Sequence, residues 1–286
     1  MNASHQPSHA QQPGKPAPDA GAVSRSGGQS TVAVVLGAGQ GTRMGATQNK
    51  IFLPLGDRPI LVRTLQAFEA APNVDEILLV AHPGEIEYVR REILAPYPLT
   101  KVVNFIAGGA TRHQSEQHAL DALRGRIDTG EIAVVLIHDG ARPFVTPEEI
   151  DRVVDAVRTS GAAILAAPLR RDELLLALGN DGQLQSLNAR TSTEDETADQ
   201  FMRAQTPQGF AAPLLLRAYD RAAEDGFEGT DTAAALERLG VQVTAIASTS
   251  SNFKITTSDD LLRAEALLDT EERSRETRSN PANRDV

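Results

Sequence analysis

The residues with chemistry to offer begin where an apolar run ends. Residues 32–36 are all Val, Ala or Leu, and Leu36 is followed by Gly37, Ala38, Gly39, Gln40 and Gly41, then by Arg43 and Lys50. Glycines let the backbone come close to a ligand, and successive N–H groups in such a turn can converge on phosphate oxygens. Arg43 and Lys50 add fixed positive charge within reach of the same loop. Backbone donors with two cations make a place for a polyphosphate.

Other glycine loops differ from this one at defined places. A dinucleotide fingerprint reads G-x-G-x-x-G, and here Gly41 comes one residue early; a P-loop closes with Gly-Lys-Ser/Thr, which is missing. The spacing disfavours a dehydrogenase. The plain alternative is a flexible turn whose charges are merely solvated. Polar clusters recur at 108–115, 138–143, 206–210 and 252–256. His138 reads as a packed histidine at a strand end, and no grouping of His with carboxylates has the spacing of a zinc site.

These clusters need elements to hold them. Apolar runs predict strands at 32–36, 74–81, 101–107, 132–137, 161–167 and 241–247. Helices are expected from Pro59 to Pro72, over 85–94, after Thr111, after Thr146-Pro147-Glu148-Glu149, and over 213–224, 232–239 and 258–268. Alternating strands and helices imply βαβ units. The expected fold is α/β, a Rossmann-like, mostly parallel sheet with helices on both faces. Ligands in such sheets bind beyond the carboxyl ends of the strands, where the polar clusters fall or to which later loops return. Residues 173–178 and 183–187 read as two strands around Gly179-Asn180-Asp181-Gly182, a protruding β-hairpin arm within about 171–203. Its exposed edges call for cover by another chain.

Composition narrows the class. The chain has 286 residues and no cysteine, which excludes disulfides, thiolate metal sites and cysteine nucleophiles. The net charge of −10 argues against nucleic acid as a partner. No apolar run is long enough to span a membrane. Residues 1–30 lack the continuous apolar segment of a signal peptide and read as a disordered tail, as do the polar residues 270–286. Residues 31–269 are left as one domain, and the cytoplasm is the expected compartment.

Taken in order, the clusters resemble those of the 2-C-methyl-D-erythritol 4-phosphate cytidylyltransferases and the related ribitol 5-phosphate cytidylyltransferases. The loop from Leu36 to Lys50 is shared with nucleotidyltransferases generally. Narrower are Gly108-Gly109-x-x-Arg112-x-x-Ser115, His138-Asp139-x-x-Arg142-Pro143, Thr206-Pro207-Gln208-x-Phe210, Thr230-Asp231 and Asn252-x-Lys254-x-Thr256. The resemblance runs from about Thr31 to Leu268 and implies CTP, Mg²⁺, a small polyol phosphate and a homodimer joined through the arm. It implies that Arg43, Lys50 and Lys254 are catalytic and that Asp139 helps hold Mg²⁺ and the nucleotide. Leu36, Gly37, Ala38, Gly39, Gly41, Gly108, Gly109 and Ser115 would bind the nucleotide. Thr206, Thr230 and Arg171 would line the second-substrate pocket. A substrate phosphate is largely dianionic at neutral pH, its second pKa lying near ~6, so attack on the α-phosphorus needs no general base.

The sequence departs from that family in places. Asn49 stands where a proline usually precedes the lysine. The arm reads Arg171-Asp172-Glu173 where the family carries Arg-Asp-Thr or Ser-Asp-Thr, and Ala198 stands where it carries an arginine. A less positive borrowed pocket follows, with Arg170, Arg171, Arg190 and Arg203 available to compensate. The favoured substrate is 2-C-methyl-D-erythritol 4-phosphate; ribitol 5-phosphate and a non-catalytic nucleotide-binding relative are the alternatives.

Overall fold

Strand β1 (Ser30–Leu36) stops where the glycines start. The structure, a computed structural model, describes residues 29–39, 49–168, 176–178, 184–186, 202–229 and 231–279. A 3₁₀ turn (Lys50–Phe52) and a short hairpin of β2 (Pro54–Leu55) and β3 (Arg58–Pro59) lead into α1 (Ile60–Ala70). Next come β4 (Glu76–Ala81), α2 (Ile86–Tyr88) running on as a π-helix (Val89–Leu94), and β5 (Val102–Ala107). Helix α3 (Arg112–Asp128), β6 (Ile132–Asp139), α4 (Pro147–Ser160) and β7 (Ala162–Pro168) follow. Strands β8 (Leu176–Leu178) and β9 (Leu184–Ser186) pair antiparallel, as expected of the arm. The rest of that arm before Met202 lies outside the described residues. The chain ends through β10 (Met202–Ala211), α5 (Ala212–Glu224), α6 (Thr232–Glu237), β11 (Thr244–Ala247) and α7 (Ser258–Ser279).

The main sheet has seven strands in the order β11-β7-β10-β6-β1-β4-β5. All neighbours are parallel except β10, which runs antiparallel between β6 and β7. Because side chains alternate along a strand, β1 serves two cores. Ala33 and Val35 pack with Leu61, Leu65 and Phe68 of α1 and with Val153 and Val157 of α4. Val32 and Val34 pack with Leu120 and Leu123 of α3 and with Leu215 and Tyr219 of α5. Each fully buried side chain of this size contributes roughly 1.5–3 kcal/mol, so both helical layers are firmly seated. A third cluster joins Leu55 and Ile60 to Phe253, Ile255 and Leu268, fastening α7 and the Lys254 segment over the short hairpin.

Two features differ from the sequence-based expectation. Residues 206–210, expected as a loop, lie inside β10 in the middle of the sheet. Gly209 permits this: a Cβ there would meet Leu136, Val153 and Val157 at 2.8 Å, so only a bare backbone passes beneath α4. Pro207 has no N–H for a ladder, and the pairing with β7 shifts register between Ala204 and Gln208. Helix α7 also runs on to Ser279, beyond the expected end at Leu268 and into the segment expected to fray. Glu and Arg, which dominate residues 271–278, are good helix formers. No helix among the described residues is long and apolar enough to cross a membrane.

Candidate active site

Leu36 and Asp139 are the last residues of adjacent parallel strands, paired in register. The chain leaves β1 to form β4 on one side and later places β6 on the other. This is the topological switch point at which open α/β sheets bind ligands. A cleft of about 790 Å³ opens there. Leu36, Gly37, Ala38, Gly39, Lys50, Gly108, Gly109, Ser115, Asp139 and Lys254 all line it, bringing together elements far apart in sequence. His82, Pro83, Thr111, Arg112 and Thr256 line it too, and none of these was singled out individually as a site residue. Gly41, Arg43, Arg171 and Thr230 lie outside the described residues.

The walls are tied to one another. The Gly37 amide donates to Val80 O at 2.7 Å, docking the glycine turn on β4. Asn49 Nδ2 donates to Gly37 O at 3.1 Å and to Glu85 Oε2 at 3.1 Å, while its Oδ1 accepts from the Ile51 amide. Asn49 therefore fastens the residue before Lys50 to the glycine turn, with Lys50 lining the cleft. On the opposite wall a Cβ at Gly108 would collide with Ala38 Cβ, so the two loops meet only because that side chain is missing. Thr111 caps α3 by accepting from the Gln114 amide. Ser115 Oγ donates to Thr111 O at 2.9 Å and accepts from the Gly109 amide at 3.0 Å. Its hydroxyl shapes the Gly108-Gly109 turn.

The floor is a carboxylate ringed by cations. Asp139 pairs with Arg112 through Oδ1, with Arg142 Nε through Oδ2 at 3.1 Å, and with Lys254 Nζ through Oδ2 at 3.2 Å. Burial raises its carboxyl, but the charges of Arg112, Lys254 and Arg142 outweigh that and hold it well below the usual carboxylate range. Arg142 Nη1 donates to Asn252 O at 2.8 Å, and the Ile255 amide donates to Ala141 O at 2.9 Å. Those two bonds hold the segment carrying Lys254 against the end of β6.

Thr206, which the resemblance assigns to the second substrate, sits within β10 beside the end of β6. It is buried and lines neither cavity of this region. Its hydroxyl accepts from the Asp139 amide at 3.1 Å and lies 3.1 Å from His138 Nδ1. The antiparallel passage of β10 turns it inward, where it steadies the end of β6. His138 is fully buried against Phe68, and burial pushes its imidazole down to about 3. That matches the packed histidine expected from the sequence. A smaller cavity of about 230 Å³ shares Lys254 and Thr256 with the main cleft and adds Arg142, Arg203, Phe253 and Arg263.

One buried charged residue beneath the cleft carries no signal in the sequence motifs. Glu116 is 1% exposed and lies one helical turn beyond Arg112, with 2.8 Å between Arg112 Nε and Glu116 Oε1. The Thr232 hydroxyl donates to Glu116 Oε1 at 3.0 Å, and the Tyr219 hydroxyl donates to Oε2. The i,i+4 spacing was visible, but on its own it reads as an ordinary surface pair.

So much positive charge round one carboxylate, beside a turn of bare backbone, marks an α/β protein that handles nucleotide phosphates. The chain belongs to the 2-C-methyl-D-erythritol 4-phosphate cytidylyltransferase family, whose model matches residues 31–270. It is 39% identical over 243 residues to the enzyme of that name from Syntrophotalea carbinolica, covering 84% of this chain and 97% of the relative. Among solved structures it is similar to the Thermus thermophilus cytidylyltransferase, with a TM-score of 0.61 and 32% identity over 82% of this chain and 97% of the other. It is also similar to 4-diphosphocytidyl-2C-methyl-D-erythritol synthase from Anaerococcus prevotii, with a TM-score of 0.68 and 27% identity over 85% of this chain and 97% of the other.

Proposed function

We propose that this chain transfers CMP from CTP to 2-C-methyl-D-erythritol 4-phosphate and releases pyrophosphate. The observation that carries the reading is the buried Asp139 carboxylate, set among Arg112, Arg142 and Lys254 on the floor of a glycine-lined cleft. An oxygen of the substrate phosphate attacks the α-phosphorus of CTP. The bond from the α-phosphorus to the bridging oxygen breaks, and the electron pair leaves with pyrophosphate. The attacking group is already an anion, so the protein's work is positioning and cancelling repulsion. Leu36, Gly37, Ala38 and Gly39, with Gly41 beyond the described residues, cradle the triphosphate. Arg43 and Lys50 neutralise its charge. Lys254 lies between the main cleft and the smaller cavity, where it draws the two phosphates together. Gly108 and Gly109, shaped by Ser115, receive the cytosine.

The donor set fits Mg²⁺ arriving with the nucleotide. Mg²⁺ keeps several waters and takes one or two carboxylates plus substrate phosphates. Asp139 offers one carboxylate, and the described residues hold no group of three or more His, Cys, Asp or Glu that would cage a resident metal. When bound, the ion supplies charge neutralisation across the phosphate oxygens. The smaller cavity takes the polyol phosphate, with Arg142, Arg203 and Arg263 on its wall. Thr206, whose hydroxyl lies beside the end of β6, is assigned to the polyol phosphate as well. Thr230 and the arm's Arg171 are assigned to the same substrate, the latter across a homodimer.

The departures at Glu173 and Ala198 favour testing ribitol 5-phosphate beside methylerythritol phosphate. The experiment is mass-spectrometric detection of the CDP-linked product and pyrophosphate after incubation with CTP, Mg²⁺ and each polyol phosphate. Binding of CTP without product from any of them would make the chain a nucleotide-binding relative. Lys50→Ala should lose more than about nine-tenths of the rate, and a smaller loss would remove Lys50 from the transition state.

A further inference from the structure

The charges beneath the cleft continue past Asp139 into the protein interior. Arg112 stands between two carboxylates: Nη1 contacts Asp139 on the cleft side, and Nε faces Glu116 at 2.8 Å on the core side. Among the described residues, Glu116 meets the Arg112 guanidinium and accepts from the hydroxyls of Tyr219 and Thr232. Burial holds the Glu116 carboxyl above the usual carboxylate range, while the Arg112 charge and the two hydroxyls oppose that shift and favour its ionised form. Arg112 Nη2 is buried without a hydrogen-bond partner, and its Nε lacks an aligned one, among the described residues. The guanidinium is thus held largely by charge, drawn in two directions at once.

We infer that Glu116 is a positioning residue for the nucleotidyl-transfer site, drawing off part of the Arg112 charge so that Asp139 stays able to accept a divalent cation. Around Asp139, the cations Arg112, Arg142 and Lys254 face the carboxylates Asp139 and Glu116. A divalent cation must share the Asp139 oxygens with those three groups. With Glu116 neutral, Arg112 would commit its whole charge to Asp139, and the metal would compete less well. The cleft as a whole would also gain positive charge and hold a metal-free polyanion more tightly. Metal and metal-free nucleotide therefore move in opposite senses, which loss of packing cannot produce.

The inference rests on the assignment of Asp139 to the metal given above. The test uses the full-length protein and isothermal calorimetry. CTP is titrated in the presence of a chelator, and CTP binding is then followed against increasing Mg²⁺. In Glu116→Gln, which keeps the shape, the Mg²⁺ half-saturation should rise roughly three- to tenfold, and metal-free CTP should bind tighter by a similar factor. Glu116→Asp keeps the charge and shortens the reach, so both values should stay within about twofold of the unaltered protein. A merely structural Glu116 would disturb both variants alike. If Glu116→Gln does not fold, Arg112→Gln reads the balance from the other side: Mg²⁺ half-saturation falls and metal-free CTP binds more weakly. An unchanged Mg²⁺ half-saturation in the folded Gln variant overturns the inference. A Mg²⁺ response that Asp139→Asn leaves unaltered defeats the metal assignment instead, so the two failures are distinguishable.

Discussion

Asn49 Nδ2 donates to the carbonyl oxygen of Gly37 at 3.1 Å, joining the two ends of the glycine-rich segment. A proline at this position could not make that bond, so this chain closes the loop with a side chain. Asn49 is 3% exposed, and its amide also engages Glu85 and the Ile51 backbone. Asn49→Ala would leave the Gly37 carbonyl and the Glu85 carboxylate short of a donor. Thermal unfolding should show a loss of about 1–3 kcal/mol. Steady-state kinetics should show KM for CTP rising more than kcat falls, because Asn49 fastens the glycine turn proposed to cradle the triphosphate. An unchanged KM for CTP would confine Asn49 to stability.

Asp139→Asn should remain folded and lose turnover. The change preserves shape and removes the charge that Arg112, Arg142 and Lys254 surround. Losing the carboxylate proposed to hold the metal weakens preorganised electrostatic stabilisation, at a cost on the order of 100-fold in kcat. A cooperative unfolding transition together with this fall in rate would separate function from folding. Unchanged magnesium dependence of the residual rate would refute the metal assignment.

Much of this site is visible in the sequence, and what is hidden is hidden for physical reasons. Local signals held: the apolar run before Gly37 forms the strand, and Thr146 with Glu149 forms a capping box. The strand β10 was unreadable because Pro207 and Gly209 carry turn signals, while the pairing with β6 and β7 is tertiary. The burial of Glu116 was unreadable for the same reason, since Tyr219 and Thr232 reach it from distant helices. The contacts of Thr206 are equally illegible in its motif, because the direction of β10 is what sets its hydroxyl beside Asp139 and His138.

Asp260 should contribute stability that disappears in acid. Its carboxylate accepts from the Thr256 amide at 2.8 Å, the Thr256 hydroxyl at 2.6 Å and the Thr257 amide at 2.8 Å, capping α7 beside the cleft. Burial raises its carboxyl, but these bonds outweigh burial and lower it overall. A group lowered on folding stabilises above its unfolded pKa of about 3.9 and loses that contribution as pH falls through the folded value. Asp260→Ala should therefore cost about 0.5–2 kcal/mol near neutral pH. Urea unfolding of both proteins at about pH 6 and about pH 3.5 should show the gap narrowing in acid. A gap that is constant or wider in acid would contradict the cap.

The arm should join two copies of the chain. Strands β8 and β9 pair with each other in a sheet of two strands, separate from the main sheet. A lone hairpin is marginal in water, and its outer edges invite pairing. Packing each arm on the partner in a twofold arrangement buries those edges and brings Arg171 of one chain towards the second-substrate cavity of the other. Deleting residues 173–188 should give a monomer by light scattering. The truncated chain should still bind CTP, because the described cleft residues lie outside the deleted segment. Its KM for the polyol phosphate should rise, since the borrowed wall of that cavity is lost. A deletion variant that stays dimeric would sink the proposed interface. A monomer with an unchanged KM for the polyol phosphate would show instead that Arg142, Arg203 and Arg263 complete the cavity within one chain.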